Sequence, residues 1–134
     1  MTTSEFRRCR VFVVDNNIDL AATLAEVIGL EPDLECVGVS CSGSDALGRA
    51  GDAGADVLVL DLSLPDRSAL SVLEESKTTG ARLDILIYTG YAAPEFAVEA
   101  RARGAAGYLV KGGAFAELAG EIRRIYAARK EGGH

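Results

Sequence analysis

The sequence predicts one α/β domain: a single doubly wound sheet of five parallel strands with helices on both faces. Three observations predict it. Short, uniformly apolar runs such as "RVFVV" and "DILIYT" suit strands buried on both faces, whereas a half-exposed strand would alternate apolar and polar residues. Stretches with apolar residues at steps of three and four separate these runs, and each reads as an amphipathic helix. The two patterns alternate five times in 134 residues, close to the size of one domain. Such an alternation requires right-handed crossovers, and it places ligand-binding groups where strands end, beside the switch in strand order.

The first strand is Arg10 to Val14, and the helix from Asp19 to Leu30 carries Leu20, Leu24, Val27 and Ile28 at helical spacing before Gly29 and Pro32 stop it. Asn17 reads as its first capping residue, with Asp19 sharing the role. "LECVGVS" (Leu34 to Ser40) is the second strand; "SGSDALGRAG" is a short helix opened by a Ser or Asp cap; "DVLVLD" (Asp56 to Asp61) is the third strand. "ALSVLEESKT" is helical with Leu70 and Leu73 inward, and "DILIYT" (Asp84 to Thr89) is the fourth strand. "PEFAVEARARG" opens on a Pro suited to a first helical turn and closes on Gly104. "GYLV" (Gly107 to Val110) is the fifth strand. The last helix, Ala114 to about Lys130, presents Phe115, Leu118, Ala119, Ile122, Ile125 and Tyr126 as one stripe toward the sheet. The expected domain is therefore 10–128, with a tail at 1–9 and a tail or truncated linker at 129–134.

Composition narrows the function. Apolar residues make up 49% and charged residues 25%, a globular balance. The apolar runs fall far short of the roughly 18 to 20 residues that span a bilayer, and "MTTSEFRRCR" lacks the apolar segment of a signal peptide, so a cytoplasmic protein without a membrane partner is expected. A net charge of −6 opposes a phosphate backbone, so no direct nucleic-acid binding is expected of this segment. Cys9, Cys36 and Cys41 form no CxxC pair, and a single histidine, His134, gives a zinc cluster too few partners. Reduced thiols are expected.

The strand ends bring together Asp15 and Asn16 after the first strand, Asp61 after the third, Thr89 after the fourth and Lys111 after the fifth. Two carboxylates packed in one cleft repel by several kcal/mol at low dielectric unless a cation lies between them, and an oxygen-only site with water access suits Mg²⁺. A divalent ion with a lysine and a hydroxyl opposite can also neutralise a phosphoryl group as it moves to a carboxylate nucleophile, for which Asp61 is best placed.

The landmarks "VVD" at Asp15, "VLVLDLSLP" around Asp61, "ILIYTG" at Thr89, "GAAGYLVK" at Lys111, and the 22-residue step from Thr89 to Lys111 together resemble the receiver domain of bacterial two-component response regulators, over roughly Arg10 to Tyr126. The resemblance implies the flavodoxin-like (βα)5 fold with strand order 2-1-3-4-5. It also implies that Asp61 accepts phosphate from a histidine kinase, and that Mg²⁺ is held by Asp15, Asn16, Asp61 and the Ser63 backbone carbonyl. Thr89, Gly90 and Lys111 would bind the phosphoryl oxygens; Tyr108 would respond to Thr89; Ser63 and Tyr91 would tune water access to the phosphoaspartate. The surface of the fourth helix, fifth strand and fifth helix would then switch its partner, a second copy of the chain among the candidates. "GYLVKGG" and "DLECVGVSCSGSDAL" look closest to the NarL-type subfamily, whose members usually carry a C-terminal DNA-binding output domain; no such segment is part of this chain.

Three positions depart from that pattern. Asn16 stands where the family has a second acid; it keeps an oxygen able to ligate but removes a full charge, so Mg²⁺ affinity is expected to fall about tenfold or more. Ala69 replaces a Gly, which suggests a loop with no positive φ there. Gly112 replaces a Pro, which removes the family's usual cis peptide and leaves a more mobile loop. A competing reading makes the domain a pseudo-receiver, a phosphate-independent interaction module with an abandoned metal site. A dehalogenase-type phosphatase would need a second acid where Ser63 stands, and a flavin binder would need a phosphate-cradling loop after the first strand. The chain is expected to modify and demodify itself but to turn over no metabolite.

Overall fold

The structure is a computed structural model, and it describes residues 7–79, 82–91 and 93–132. Five strands, β1 (Cys9–Val14), β2 (Leu34–Ser40), β3 (Val57–Leu60), β4 (Asp84–Thr89) and β5 (Gly107–Val110), alternate with α1 (Ile18–Gly29), α2 (Ala46–Asp52), α3 (Ala69–Thr78), α4 (Pro94–Ala102) and α5 (Phe115–Gly132). The strands form one parallel sheet in the order β2-β1-β3-β4-β5. The expected fold class and strand order are both present.

The uniform apolar runs follow from burial on two faces. Successive side chains of a strand point to opposite sides. Val11 and Val13 of β1, Val57 and Val59 of β3, and Leu86 of β4 accordingly join α1 and α5 in one core. Phe12 and Val14, Leu58 and Leu60, and Ile85 and Ile87 join α2, α3 and α4 in the other. Of the stripe expected on α5, Leu118, Ala119, Ile122 and Ile125 are buried, with Phe115 and Tyr126 partly so. Leu73 of α3 is buried and Leu70 partly buried.

β2 is an edge strand, half-buried along its middle, and its register with β1 slips between Val11 and Phe12. Gly38 lies at that slip because the Phe12 ring occupies the space a side chain would need: a Cβ there would meet Phe12 Cε2 at 2.5 Å. The first strand and the last helix run slightly past their expected ends. β1 starts at Cys9, and α5 runs through Gly132, past the expected end near Lys130. His134 and residues 1–6 lie outside the described residues.

Two capping expectations are corrected. Asn17 alone caps α1, its Oδ1 accepting from the backbone N–H groups of Asp19 and Leu20, while Asp19 sits in the first turn. Asp45 occupies the N-cap position of α2 but makes no capping bond; its carboxylate accepts from the Ser40 hydroxyl, and the Ser42 and Ser44 hydroxyls turn to Asp66 instead. Among the described residues no cis peptide occurs and only glycines have positive φ; Ala69 has none, as expected, but it opens α3 and is not a loop residue. The cysteines are all free, with Cys9 buried, Cys36 half-buried and Cys41 exposed.

Candidate functional site at the strand tips

The strand order puts β1 in the middle of the β2, β1 and β3 tips, so the residues that end these strands meet at one edge. Asp15 follows β1 and its N–H donates to the Ser40 carbonyl at 3.0 Å; Asp61 follows β3 and its N–H donates to the Val14 carbonyl at 2.9 Å. The ladder thus extends one residue past each strand and fixes both carboxylates side by side. Both are buried, Asp15 at 2% and Asp61 at 6% exposure, which is unusual for acids without partners.

Their partner is Lys111, one residue after β5. Its Nζ donates to Asp15 Oδ2 at 2.7 Å and lies 3.7 Å from Asp61 Oδ2. The backbone under Lys111 is fixed as well, because its N–H donates to the Thr89 carbonyl at 2.7 Å. The ammonium also stands 5.8 Å from the centroid of the Tyr88 ring, whose phenol is pushed up by burial against the opposing pull of Lys111. Backbone N–H groups complete the shell: Asn17 donates to Asp15 Oδ1 at 2.8 Å, Asn16 to Asp61 Oδ2 at 3.2 Å, and Ser63 to Asp61 Oδ1 at 3.2 Å. Among the described residues no buried side-chain polar atom lacks a partner.

Of the residues singled out in the sequence, Asp15, Asp61 and Lys111 therefore meet directly, and Asn16 and Ser63 join through their backbones. Thr89 is buried at 1% exposure, and its Oγ1 accepts the Tyr91 N–H at 3.1 Å. Gly90 beside it is exposed. The Tyr91 ring is 55% exposed and meets Phe96 edge-on at 5.6 Å; its carbonyl accepts the Tyr108 hydroxyl at 2.9 Å. Tyr108 is thus half-buried over the loop after β4, and burial pushes its phenol up. Gly112 takes φ +107 in the turn after Lys111, a conformation open to glycine and closed to the family's proline.

Sequence reasoning missed three contributors. The Asn17 N–H was legible, since Asp15 accepting from a residue two further on is an Asx turn. Tyr88 and Ser40 were not, because their contacts to the site cross between strands.

The donors at this edge are all oxygens, which suits a hard divalent ion. Two carboxylates and one ammonium leave the trio at net −1, an attraction for a cation that one more acid would have doubled. Among the described residues no cluster of three or more His, Cys, Asp or Glu side chains forms. Asp15, Asp61, the Asn16 amide and the Ser63 carbonyl fit Mg²⁺ in kind, with less charge than a three-acid site.

The profile of the response regulator receiver domain matches residues 11–123, and the chain belongs to that family. The transcriptional regulatory protein DesR of Bacillus subtilis is 32% identical over 120 residues, covering 90% of this chain and 59% of DesR. The DNA-binding transcriptional activator DevR/DosR of Mycobacterium tuberculosis is 33% identical over 120 residues, covering 90% of this chain and 55% of its own. This chain therefore spans little more than half the length of these relatives. Among solved structures, the receiver domain of the putative response regulator NarL from Mycobacterium tuberculosis superposes with a TM-score of 0.86 at 22% identity, covering 92% of this chain and 99% of that one. A NarL receiver is thus among the structural neighbours, the subfamily that the local motifs resemble.

Proposed function

We propose that this receiver domain, residues 10–128, is a phosphoacceptor switch in which Asp61 takes a phosphoryl group from a histidine kinase. An Asp61 carboxylate oxygen attacks phosphorus, the bond from phosphorus to the kinase imidazole nitrogen breaks, and that nitrogen keeps the electron pair. The observation that carries this reading is the placement of Asp61, buried beside Asp15 with the Lys111 ammonium 3.7 Å away. An ammonium so placed favours the added negative charge of a phosphoryl group. Thr89 and Gly90, at the tip of β4, would offer a hydroxyl and an N–H to the phosphoryl oxygens, and Ser63 and Tyr91 would tune the access of water. Asp15, Asn16, Asp61 and the Ser63 carbonyl would hold Mg²⁺, which when bound neutralises phosphoryl oxygens.

Phosphorylation would draw the Thr89 hydroxyl away from the Tyr91 N–H. Tyr108 is tied to the Tyr91 carbonyl, so the loop after β4 would carry that change to the face formed by α4, β5 and α5. A second copy of the chain is the partner proposed for that face. In the whole protein, a DNA-binding output domain and control of transcription are proposed by analogy with the longer relatives. No helix among the described residues is long and apolar enough to cross a membrane, and the cytoplasm is the proposed location.

Incubation with a small phosphodonor and Mg²⁺, followed by intact mass measurement, tests the reading. A gain of one phosphoryl group is expected, and it disappears in Asp61→Ala. A second reading, the phosphate-independent pseudo-receiver, draws on the 2.7 Å pair of Lys111 with Asp15, which partly neutralises the pocket with no cation. Absence of any mass gain in the wild type would favour it.

A further inference from the structure

Two neighbouring loops on the site edge are joined by one carboxylate. Asp66 lies five residues after Asp61, and its two oxygens receive four donors from residues 42–44, the loop after β2. Oδ1 accepts the Gly43 N–H at 2.9 Å; Oδ2 accepts the Ser44 N–H at 2.8 Å, the Ser42 hydroxyl at 2.9 Å and the Ser44 hydroxyl. These donors hold the Asp66 carboxyl well below the usual range, the Ser44 hydroxyl most of all, so it stays ionised.

The join is also steric. Gly43 is buried beneath Arg67 and Leu64, and a Cβ at Gly43 would meet Arg67 Cγ at 2.8 Å and Leu64 Cδ1 at 3.0 Å. The two loops therefore pack with no room for a side chain at position 43. From this loop the chain of bonds continues to the site: the Ser42 N–H donates to Ser40 Oγ at 3.0 Å, and the Ser40 carbonyl accepts the Asp15 N–H at 3.0 Å. The segment from Asp61 to Asp66 is therefore held at one end by β3 and at the other by a path leading to Asp15. Ser63 lies between the two anchors.

We infer that Asp66 is a positioning residue for the cation pocket: by binding the 42–44 loop it fixes the Ser63 carbonyl and the Asp61 carboxylate relative to Asp15. This role rests on the phosphoacceptor reading of Asp61, but it makes its own demand on metal binding. Groups that orient ligands without touching the ion are typically worth about 10–100-fold in affinity. A mere surface tie would contribute to stability and leave the affinity alone.

Two measurements on the full chain decide it. Mg²⁺ is titrated calorimetrically into the unmodified protein, and the initial rate of phosphorylation by a small phosphodonor is followed by intact mass across the same Mg²⁺ range. Asp66→Asn keeps the size but offers one acceptor oxygen in place of two. It is expected to weaken Mg²⁺ binding about tenfold or more and to move the Mg²⁺ midpoint of phosphorylation by the same factor. The rate at saturating Mg²⁺ falls less. Ser44→Ala, which removes one donor of four, shifts both in the same direction by a smaller factor. Glu75→Ala frees Arg67 from its 2.6 Å pair on α3, further along the same segment, and is expected to leave both midpoints unchanged.

A wild-type affinity in Asp66→Asn overturns the proposal. So does a shift in Glu75→Ala as large as that in Asp66→Asn, which would mark general loosening of the segment. If the wild type binds Mg²⁺ but gains no phosphoryl group, the phosphoacceptor reading fails, and the calorimetric comparison alone decides the positioning role. A wild type that does neither overturns both.

Discussion

Asn16 holds the largest chemical departure in the smallest space. Its backbone does what any residue there would do, donating to Asp61 Oδ2 at 3.2 Å, so the substitution acts through the side chain alone. Restoring the acid in Asn16→Asp adds one negative charge beside two buried carboxylates. At about 4 Å and an effective dielectric near 20, each charge pair is worth up to about 4 kcal/mol, much of it offset by desolvation and by repulsion among the acids. A net gain near 1.4 kcal/mol corresponds to about tenfold. Calorimetric titration of both proteins is expected to show Asn16→Asp binding Mg²⁺ about tenfold more tightly than the wild type, and equal dissociation constants would refute the role given to the missing charge. Asp15, Asp61 and Lys111 were legible in the sequence because each directly follows an apolar run whose tip topology assigns to one edge. Asp66 was not: its donors lie on another loop, and nothing in "DLSLPDRS" distinguishes an acid that ties two loops from one that faces water.

At the scale of elements, the strands and most helix bounds follow from periodicity, and the failures follow from competition for hydrogen bonds. The Ser and Asp residues before α2 predict a side-chain cap, yet Ser40 and Asp66 take those groups first. A tie of the same long-range kind links α5 to the turn before β2. Arg123 donates through Nε to Asp33 Oδ2 at 2.7 Å, and through one terminal nitrogen to Asp33 Oδ1 at 2.8 Å and to Glu31 Oε1 at 2.6 Å. The guanidinium bonds hold the Asp33 carboxyl below its usual value. A carboxylate depressed in the folded state contributes stability above its unfolded pKa, near about 4, and that contribution is lost as pH falls through the lower folded value. Both partners are more than a third exposed, so the contribution is modest and screened by salt. Arg123→Ala is expected to flatten the acid limb: the drop in urea midpoint between pH 6 and pH 3 becomes smaller than in the wild type. An identical pH profile would show that the tie carries no stability.

At the scale of the molecule, the two cores are opposite faces of the same three strands. Adjacent residues of β1, β3 and β4 serve alternate layers, so losing the helices on one face would expose Val11, Val13, Val57 and Val59, or else Phe12, Leu58 and Leu60. Neither layer has a sheet of its own, and the prediction is one cooperative transition. Leu58→Ala acts on the layer of α2, α3 and α4, and Ile122→Ala on the layer of α1 and α5; both side chains are fully buried. Each substitution is expected to cost about 2–5 kcal/mol, a large share of the roughly 5–15 kcal/mol that holds a domain of this kind. The chain has no tryptophan, so urea unfolding is followed by far-ultraviolet dichroism for the helices and by tyrosine fluorescence, to which Tyr88 reports from the α1 and α5 side. The two curves should coincide in the wild type and in both variants. If Ile122→Ala lost its tyrosine signal at a urea concentration where helical dichroism persisted, the layers would be separable. The tips of β1 and β3 could then no longer be regarded as one rigid mount for Asp15 and Asp61, since each is clamped by side chains from both faces.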